Sequence, residues 1–261
     1  MTDQSHTPAS ARSQLLRIGV VGRGRLGTTL AAALREAGHR VTGPTGRGKA
    51  PPVDMLILCV PDAEIPLAAA AAAGAAPLVG HTSGATSLAA LEPAEHRFGL
   101  HPLQTFPEPV ERGALARFAG VGCAVAGSSP APLAAATELA RSLRMCPFPL
   151  DDEGRAAYHA AASVASNFLV TLEAVAERVA AGAGLEPEHA RELLAPLVRS
   201  TVEGWASLGP ERALTGPVAR GDLATVEAQR NAVAQIAPEL LPLFDELVER
   251  TEAVAGRPVM T

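Results

Sequence analysis

The hexapeptide Gly22-Arg-Gly24-Arg-Leu-Gly27 constrains this chain more than any other segment, because of what flanks it. A short β-type run, residues 17–21, leads straight into it, and an Ala/Leu-rich helical pattern follows to Glu36 and stops at Gly38. In a strand, tight turn and helix of this kind the three glycines have separate tasks. The first permits the bend, the second lets backbone approach a diphosphate, and the third lets the helix pack on the strand. The helix N-terminus then faces the phosphates. Glycines at this spacing are weak evidence alone; a preceding strand and a following helix supply the confirming context.

The first half continues in the same grammar. Residues 39–42 read as a second strand and 54–60 as a third, continuously apolar and so buried on both faces. Residues 77–79, 98–100, 121–126 and 145–150 supply four more, with a helix over 132–143. This predicts an α/β fold with a Rossmann dinucleotide-binding domain over residues 17–150. Beyond Asp151 no β-rich run appears. Helical patterns cover 153–181, 187–208, 223–234 and 238–255, broken by Gly182, Gly184 and Pro187, with Asp222 as an N-cap. Residues 151–261 are therefore expected to form a smaller, all-helical domain that supplies the rest of the active site, and the polar residues 1–16 a flexible tail.

Composition removes several classes of function. The net charge is −5 and the arginines are scattered, so no basic stripe awaits a nucleic acid. The tail lacks an apolar signal region, and the longest Ala-rich run, residues 67–76, is too short to cross a bilayer. Cys59, Cys123 and Cys146 have no metal-ligand spacing and read as reduced core thiols of a cytoplasmic protein. No metal and no membrane are expected.

Gly22, Gly24, Arg25, Leu26 and Gly27 at the crossover, with Val60 and Pro61 at the end of the third strand, form the expected cofactor set. A site for NAD normally carries an acid at the end of the second strand. Here Thr42-Gly43-Pro44-Thr45-Gly46-Arg47-Gly48-Lys49 has none before Asp54, and its two cations suit a 2′-phosphate. NADP(H) is favoured over NAD(H), the alternative being that Arg47 and Lys49 merely solvate a loop.

Ligands of open α/β sheets sit beyond the carboxyl ends of the strands. Strand four ends in His81-Thr-Ser83-Gly84 and strand five in His101-Pro-Leu-Gln104-Thr105. His101 is a candidate proton donor, since imidazole titrates near neutrality; equally it is a structural histidine before Pro102. His81 and Ser83 either line the nicotinamide pocket or cap the next turn, and Gln104 and Thr105 are candidates for substrate contact. On the first long helix His159, Ser163 and Asn167 stand at i, i+4 and i+8, within about 80° of arc, and form a polar stripe facing substrate or a neighbouring element. Thr215 and Arg220, in Leu214-Thr-Gly-Pro-Val-Ala-Arg220-Gly-Asp222, are candidates for a two-point grip on a small carboxylate substrate, or a capped turn.

Taken together, the GRGRLG turn, the HTSG and HPLQTF strand ends, the YHAAASVASN helix and the LTGPVARGD loop resemble the 6-phosphogluconate dehydrogenase-like superfamily. The likeness is closer to its Rossmann-like oxidoreductases with a C-terminal helical domain of unassigned function. It implies an active site in a cleft between the domains and a homodimer through the helices. For some relatives it also implies reduction of ketopantoate to pantoate. Better-known relatives use a helix lysine one turn before an asparagine; aligning that asparagine with Asn167 puts Ser163 at the lysine position, and Lys49 is the only lysine in the chain. His101 or His159 must then supply the proton. HPLQTF also resembles the His-Pro strand end of prephenate and arogenate dehydrogenases. Three functions stay open: an NADPH-dependent reductase of a small keto acid or imine, a prephenate-type dehydrogenase, and a dinucleotide-binding regulatory protein without turnover.

Overall fold

A computed structural model describes residues 17–46 and 52–256, in two compact units that divide between Val164 and Ala165. Arg47, Lys49 and the tail 1–16 lie outside the described residues.

The first unit is a seven-stranded sheet in the order β2-β1-β3-β4-β5-β6-β7. Its strands are β1 (Arg17–Val21), β2 (Arg40–Thr45), β3 (Met55–Leu58), β4 (Leu78–His81), β5 (His96–Pro102), β6 (Gly122–Gly127) and β7 (Cys146–Pro149). From β2 to β5 all neighbours are parallel, β6 runs antiparallel to β5, and β7 is parallel to β6. The helices are α1 (Arg25–Glu36), α2 (Ile65–Ala71), α3 (Pro130–Ser142) and α4 (Arg155–Ser163). The α/β class expected from the alternating pattern is what the chain adopts, with a helical second unit after it.

Both faces of the sheet are covered, which is why β3 reads Met-Leu-Ile-Leu with all four residues buried. One core gathers Ile18, Leu30, Leu34, Ile57, Phe98 and Leu100 beneath α1 and α3; the other gathers Leu56, Leu58, Ile65, Val79 and Leu91 beneath α2. Burial of each such side chain contributes about 1.5–3 kcal/mol. The reversal before β6 follows a long connection tied back to α1: the Glu36 carboxylate accepts from the Ala114 and Leu115 amides, and Thr29 Oγ1 accepts from the Val110 amide.

The second unit contains α5 (Leu169–Ala181), α6 (Pro187–Leu208), two short helices α7 (Pro210–Ala213) and α8 (Pro217–Arg220), α9 (Leu223–Ile236) and α10 (Leu241–Val254). Asp222 caps α9 as expected, accepting from the Thr225 amide at 3.1 Å. Between α4 and α5 the chain makes a π-helical turn, Val164–Phe168. The expected continuous helix over 153–181 is thus corrected: His159 and Ser163 keep their spacing within α4, but Asn167 falls in the wider turn and does not continue their 3.6-residue stripe. Among the described residues no helix is long and apolar enough to cross a membrane.

Candidate functional site

The first crossover is shaped by backbone. Gly22 has φ +113°, and a Cβ there would stand 2.0 Å from the Cys59 carbonyl oxygen; a Cβ on Gly27 would stand 2.1 Å from the Gly22 carbonyl oxygen. Both positions therefore require glycine for closure of β1, β3 and α1. Gly24 differs: a Cβ there would meet nothing within 4 Å. It is the N-cap of α1 with no side-chain cap, so the first amides of that helix are unclaimed by any side chain at the cap. Over this end opens a cavity of about 430 Å³, bordered by Gly24, Leu26, Val60, Asp62, Ser83 and Phe106 among others. Arg25 borders it and is exposed; Arg23 is exposed too, and a Cβ on Gly46, just past β2, would lie 4.0 Å from Arg23 Nε.

A second group forms where α4 lies on the sheet. His81 pairs in register with Gly99, and alternation along the strand puts His101 on the same face, above the core that holds Val79 and Ala126. Gly99 leaves room for Arg155, whose Nη2 would be 3.0 Å from a Cβ there. Arg155 is only 3% exposed, and its Nε donates to Asp152 Oδ1 at 2.6 Å. Tyr158 Oη is 2.7 Å from His101 Nδ1, and the His101 ring lies edge-on to Tyr158 at 5.5 Å and to His159 at 6.3 Å.

Burial decides the protonation of this group. His81 is fully buried; burial first, and then the Arg155 charge, push its imidazolium down to about 4. Its Nδ1 accepts from the Ser83 amide at 3.2 Å, which puts the ring proton on Nε2. His101 is likewise pushed down to about 4 by burial, then by His159 and Arg155. Burial raises Tyr158 to about 12. At neutral pH His81 and His101 are neutral imidazoles and Tyr158 a neutral phenol, beside the buried Arg155 guanidinium.

Residues 121–251, half of the chain, match the family described as "Domain of unknown function (DUF2520)". The chain belongs to the DUF2520 family. No functionally curated protein matches its sequence. Solved structures sharing the fold include protein TM1727 of Thermotoga maritima, at 26% identity and TM-score 0.76, covering 92% of this chain and 99% of that one. Protein BF3122 of Bacteroides fragilis, described as a candidate NADP oxidoreductase, has 23% identity and TM-score 0.74, covering 93% and 98%. The reductive aminase of Aspergillus terreus, solved with NADPH and ethyl-5-oxohexanoate, has 18% identity and TM-score 0.63, covering 95% and 97%.

The first unit of this DUF2520 protein brings together much of what the sequence singled out, but in two places. Gly24, Arg25, Leu26, Gly27, Val60 and Ser83 border the cavity, and Pro61 starts the turn that carries Asp62. Ser83 both borders the cavity and organises its loop: its hydroxyl donates to Asp62 Oδ2 at 2.8 Å and accepts from the Thr86 amide at 2.9 Å. His81 and His101 lie on the sheet face under α4, and His159 is an exposed residue of α4 whose ring stands 6.3 Å from that of His101. Gln104 and Thr105 sit on an exposed loop, where Gln104 Oε1 accepts from the Thr105 amide at 2.8 Å. Ser163 ends α4, whereas Asn167, Thr215 and Arg220 are exposed residues of the second unit.

Sequence reasoning missed Arg23, Asp62, Phe106, Arg155 and Tyr158. Arg23 stands inside the glycine motif and Asp62 follows the third strand, so both carried a positional signal. Tyr158 and Arg155 carried none, because their partners lie on β5 and in the loop before α4. Cys146 is exposed on β7, against its expected place in a core. Among the described residues no group of three or more His, Cys, Asp and Glu is placed to hold a metal ion.

Proposed function

We propose that this DUF2520 protein is an NADP(H)-dependent reductase of a carbonyl or imine group in a small, carboxylate-bearing molecule, and a member of the 6-phosphogluconate dehydrogenase-like superfamily. The observation that carries this reading is the contrast among the three glycines. Gly22 and Gly27 are closed by backbone, while Gly24 opens on a cavity of about 430 Å³ at the N-terminus of α1. That is a cradle into which a side chain would intrude and a diphosphate would fit. Arg23, beside the end of β2, is the described cation placed for a 2′-phosphate.

When bound, the reduced nicotinamide supplies the hydride. The chain's own residues do the rest: Ser83 and Phe106 wall the cavity, and His101 donates a proton to the substrate oxygen or nitrogen. Relatives of the same fold support the chemistry by their names: an NADPH-bound reductive aminase, and 1-pyrroline-5-carboxylate reductase from Streptococcus pyogenes at 12% identity and TM-score 0.58. Ketopantoate is the named candidate substrate. The test is consumption of NADPH with a panel of ketopantoate, 1-pyrroline-5-carboxylate and cyclic imines. Turnover of one member supports the reading. Intact NADPH binding with no turnover over the panel sinks it and leaves a regulatory dinucleotide-binding protein.

We propose further that the second unit pairs with a second copy of itself. Among its described residues only Ala190, Val233 and Ala237 are buried hydrophobics, whereas Leu193, Leu197, Trp205 and Leu208 of α6 are all exposed. At 100° per residue those four fall within roughly 120° of arc, a stripe wide enough to need a cover. A two-fold pairing would match the stripe to itself. The three free cysteines suit a reducing compartment, and we place the protein in the cytoplasm.

A further inference from the structure

We propose that His101 and Tyr158 form one proton-donating unit, in which the substrate takes the Nε2 proton of His101 while Tyr158 passes its phenolic proton to Nδ1. This rests on the reductase reading above and assigns the source of the proton. Tyr158 touches no substrate in this scheme; it acts through His101.

The geometry is fixed from three sides. Tyr158 Oη lies 2.7 Å from Nδ1, and the phenol ring is wedged edge-on between His101 and Phe148, whose centroid is 5.9 Å away. The other side of the imidazole faces Gly84, where a Cβ would be 2.9 Å from Cε1. Nδ1 is thus committed to Tyr158, while Nε2 has no hydrogen bond among the described residues and sits on a ring that is not fully buried.

Charge explains why a second group is needed. Burial first, and then His159 and Arg155 from α4, keep the His101 imidazole neutral at pH 7 against the pull of Asp62 from the turn after β3; His81 from β4 acts in the same direction as burial and is the smallest influence. An imidazolium is then not at hand. A neutral imidazole that gave up Nε2–H by itself would become an imidazolate, a far stronger base than a phenolate. With the Tyr158 proton crossing to Nδ1, the ring stays neutral and the negative charge falls on Tyr158 Oη. Arg155, buried and cationic, favours that charge and so opposes the upward push of burial and of Cys123 on Tyr158.

The balance is one hydride and one proton. A C–H bond forms at the substrate carbon with hydride from the cofactor; an O–H or N–H bond forms as Nε2–H breaks; Nδ1–H forms as the Tyr158 O–H breaks. After product departs, Nε2 takes a proton from water and Nδ1 returns its proton to Tyr158. The net donor is solvent.

Imidazole nitrogen spectra of the full-length protein at pH 7 test this without substrate. The expected result is a neutral His101 with its proton on Nε2 and a hydrogen-bonded, unprotonated Nδ1, and loss of that fixed tautomer in Tyr158→Phe, which keeps the ring. A proton on Nδ1, or an imidazolium, in the wild-type protein overturns the relay and leaves the reductase reading intact. With a substrate in hand, Tyr158→Phe should lower kcat roughly 10- to 100-fold with KM and NADPH affinity unchanged. Its rate in mixtures of light and heavy water should depend on one proton, where the wild type depends on two. An unchanged kcat, or a single-proton dependence in the wild type, overturns the relay. A protein that binds NADPH and turns over nothing overturns the reductase reading, and the relay with it.

Discussion

The imidazole of His101 rests face-on over Gly84: a methyl group there would stand 2.9 Å from Cε1, 3.0 Å from Nε2 and 3.1 Å from Nδ1. Contacts that short force the ring to tilt, and the tilt breaks its 2.7 Å bond to Tyr158. Gly84→Ala should therefore lower turnover at least about tenfold and scramble the His101 tautomer. Circular dichroism should stay native. An unchanged His101 spectrum would show that the contact does not orient the ring.

The crossover glycines should separate stability from binding. At Gly27 a methyl meets a backbone carbonyl, so Gly27→Ala should cost about 1–3 kcal/mol or more in urea unfolding. At Gly24 a methyl meets open space, so Gly24→Ala should unfold like the wild type, within about 0.5 kcal/mol. Its methyl enters the cavity, however, and NADPH affinity should fall about tenfold or more. Equal unfolding losses at both positions would contradict the assignment of Gly24 to ligand.

His81 predicts a direction for stability against pH. Folded, it stays neutral down to about pH 4; unfolded, it takes up a proton near its ordinary value of 6.5. Between those values the unfolded chain binds the extra proton, so stability falls as pH drops from about 6.5 toward 4 and levels off below. The contribution from this fully buried ring is about 3 kcal/mol. Unfolding at pH 7 and pH 4.5 should show the loss, and His81→Gln should lessen it, leaving the share of His101, whose imidazolium burial also pushes down to about 4. A His81→Gln profile parallel to the wild type would place the pH sensitivity elsewhere.

Arg23 stands beside the end of β2, so Arg23→Ala should weaken NADPH about tenfold while leaving NADH nearly unchanged. Equal weakening of both cofactors would remove Arg23 from the 2′-phosphate.

Much of the first unit could be read from residue order, for physical reasons. Met-Leu-Ile-Leu in β3 declares a strand buried on both faces, and His81 and His101 end parallel strands whose carboxyl edges are where ligands gather. The direction of β6 could not be read, because it depends on the connection anchored by Glu36 and Thr29 rather than on the strand's own residues. The π turn at Val164–Phe168 lies in a sequence without Gly or Pro, so nothing local marks it. The task of Tyr158 follows from the docking of α4 over His101, which sequence spacing does not encode.

The helical unit offers a separate test. If α6 pairs with a second copy, the native mass by light scattering should be that of a dimer, and Leu197→Glu should shift it toward monomer. A monomeric wild-type protein at micromolar concentration would refute the pairing.

Titration calorimetry of the wild-type protein and Gly24→Ala with NADPH and NADH reaches the root of the account. Saturable binding of one NADPH per chain is expected, tighter than NADH and weakened in Gly24→Ala. No binding of either dinucleotide to a folded wild-type protein, or undiminished NADPH binding to Gly24→Ala, would contradict the claim that this crossover holds a cofactor.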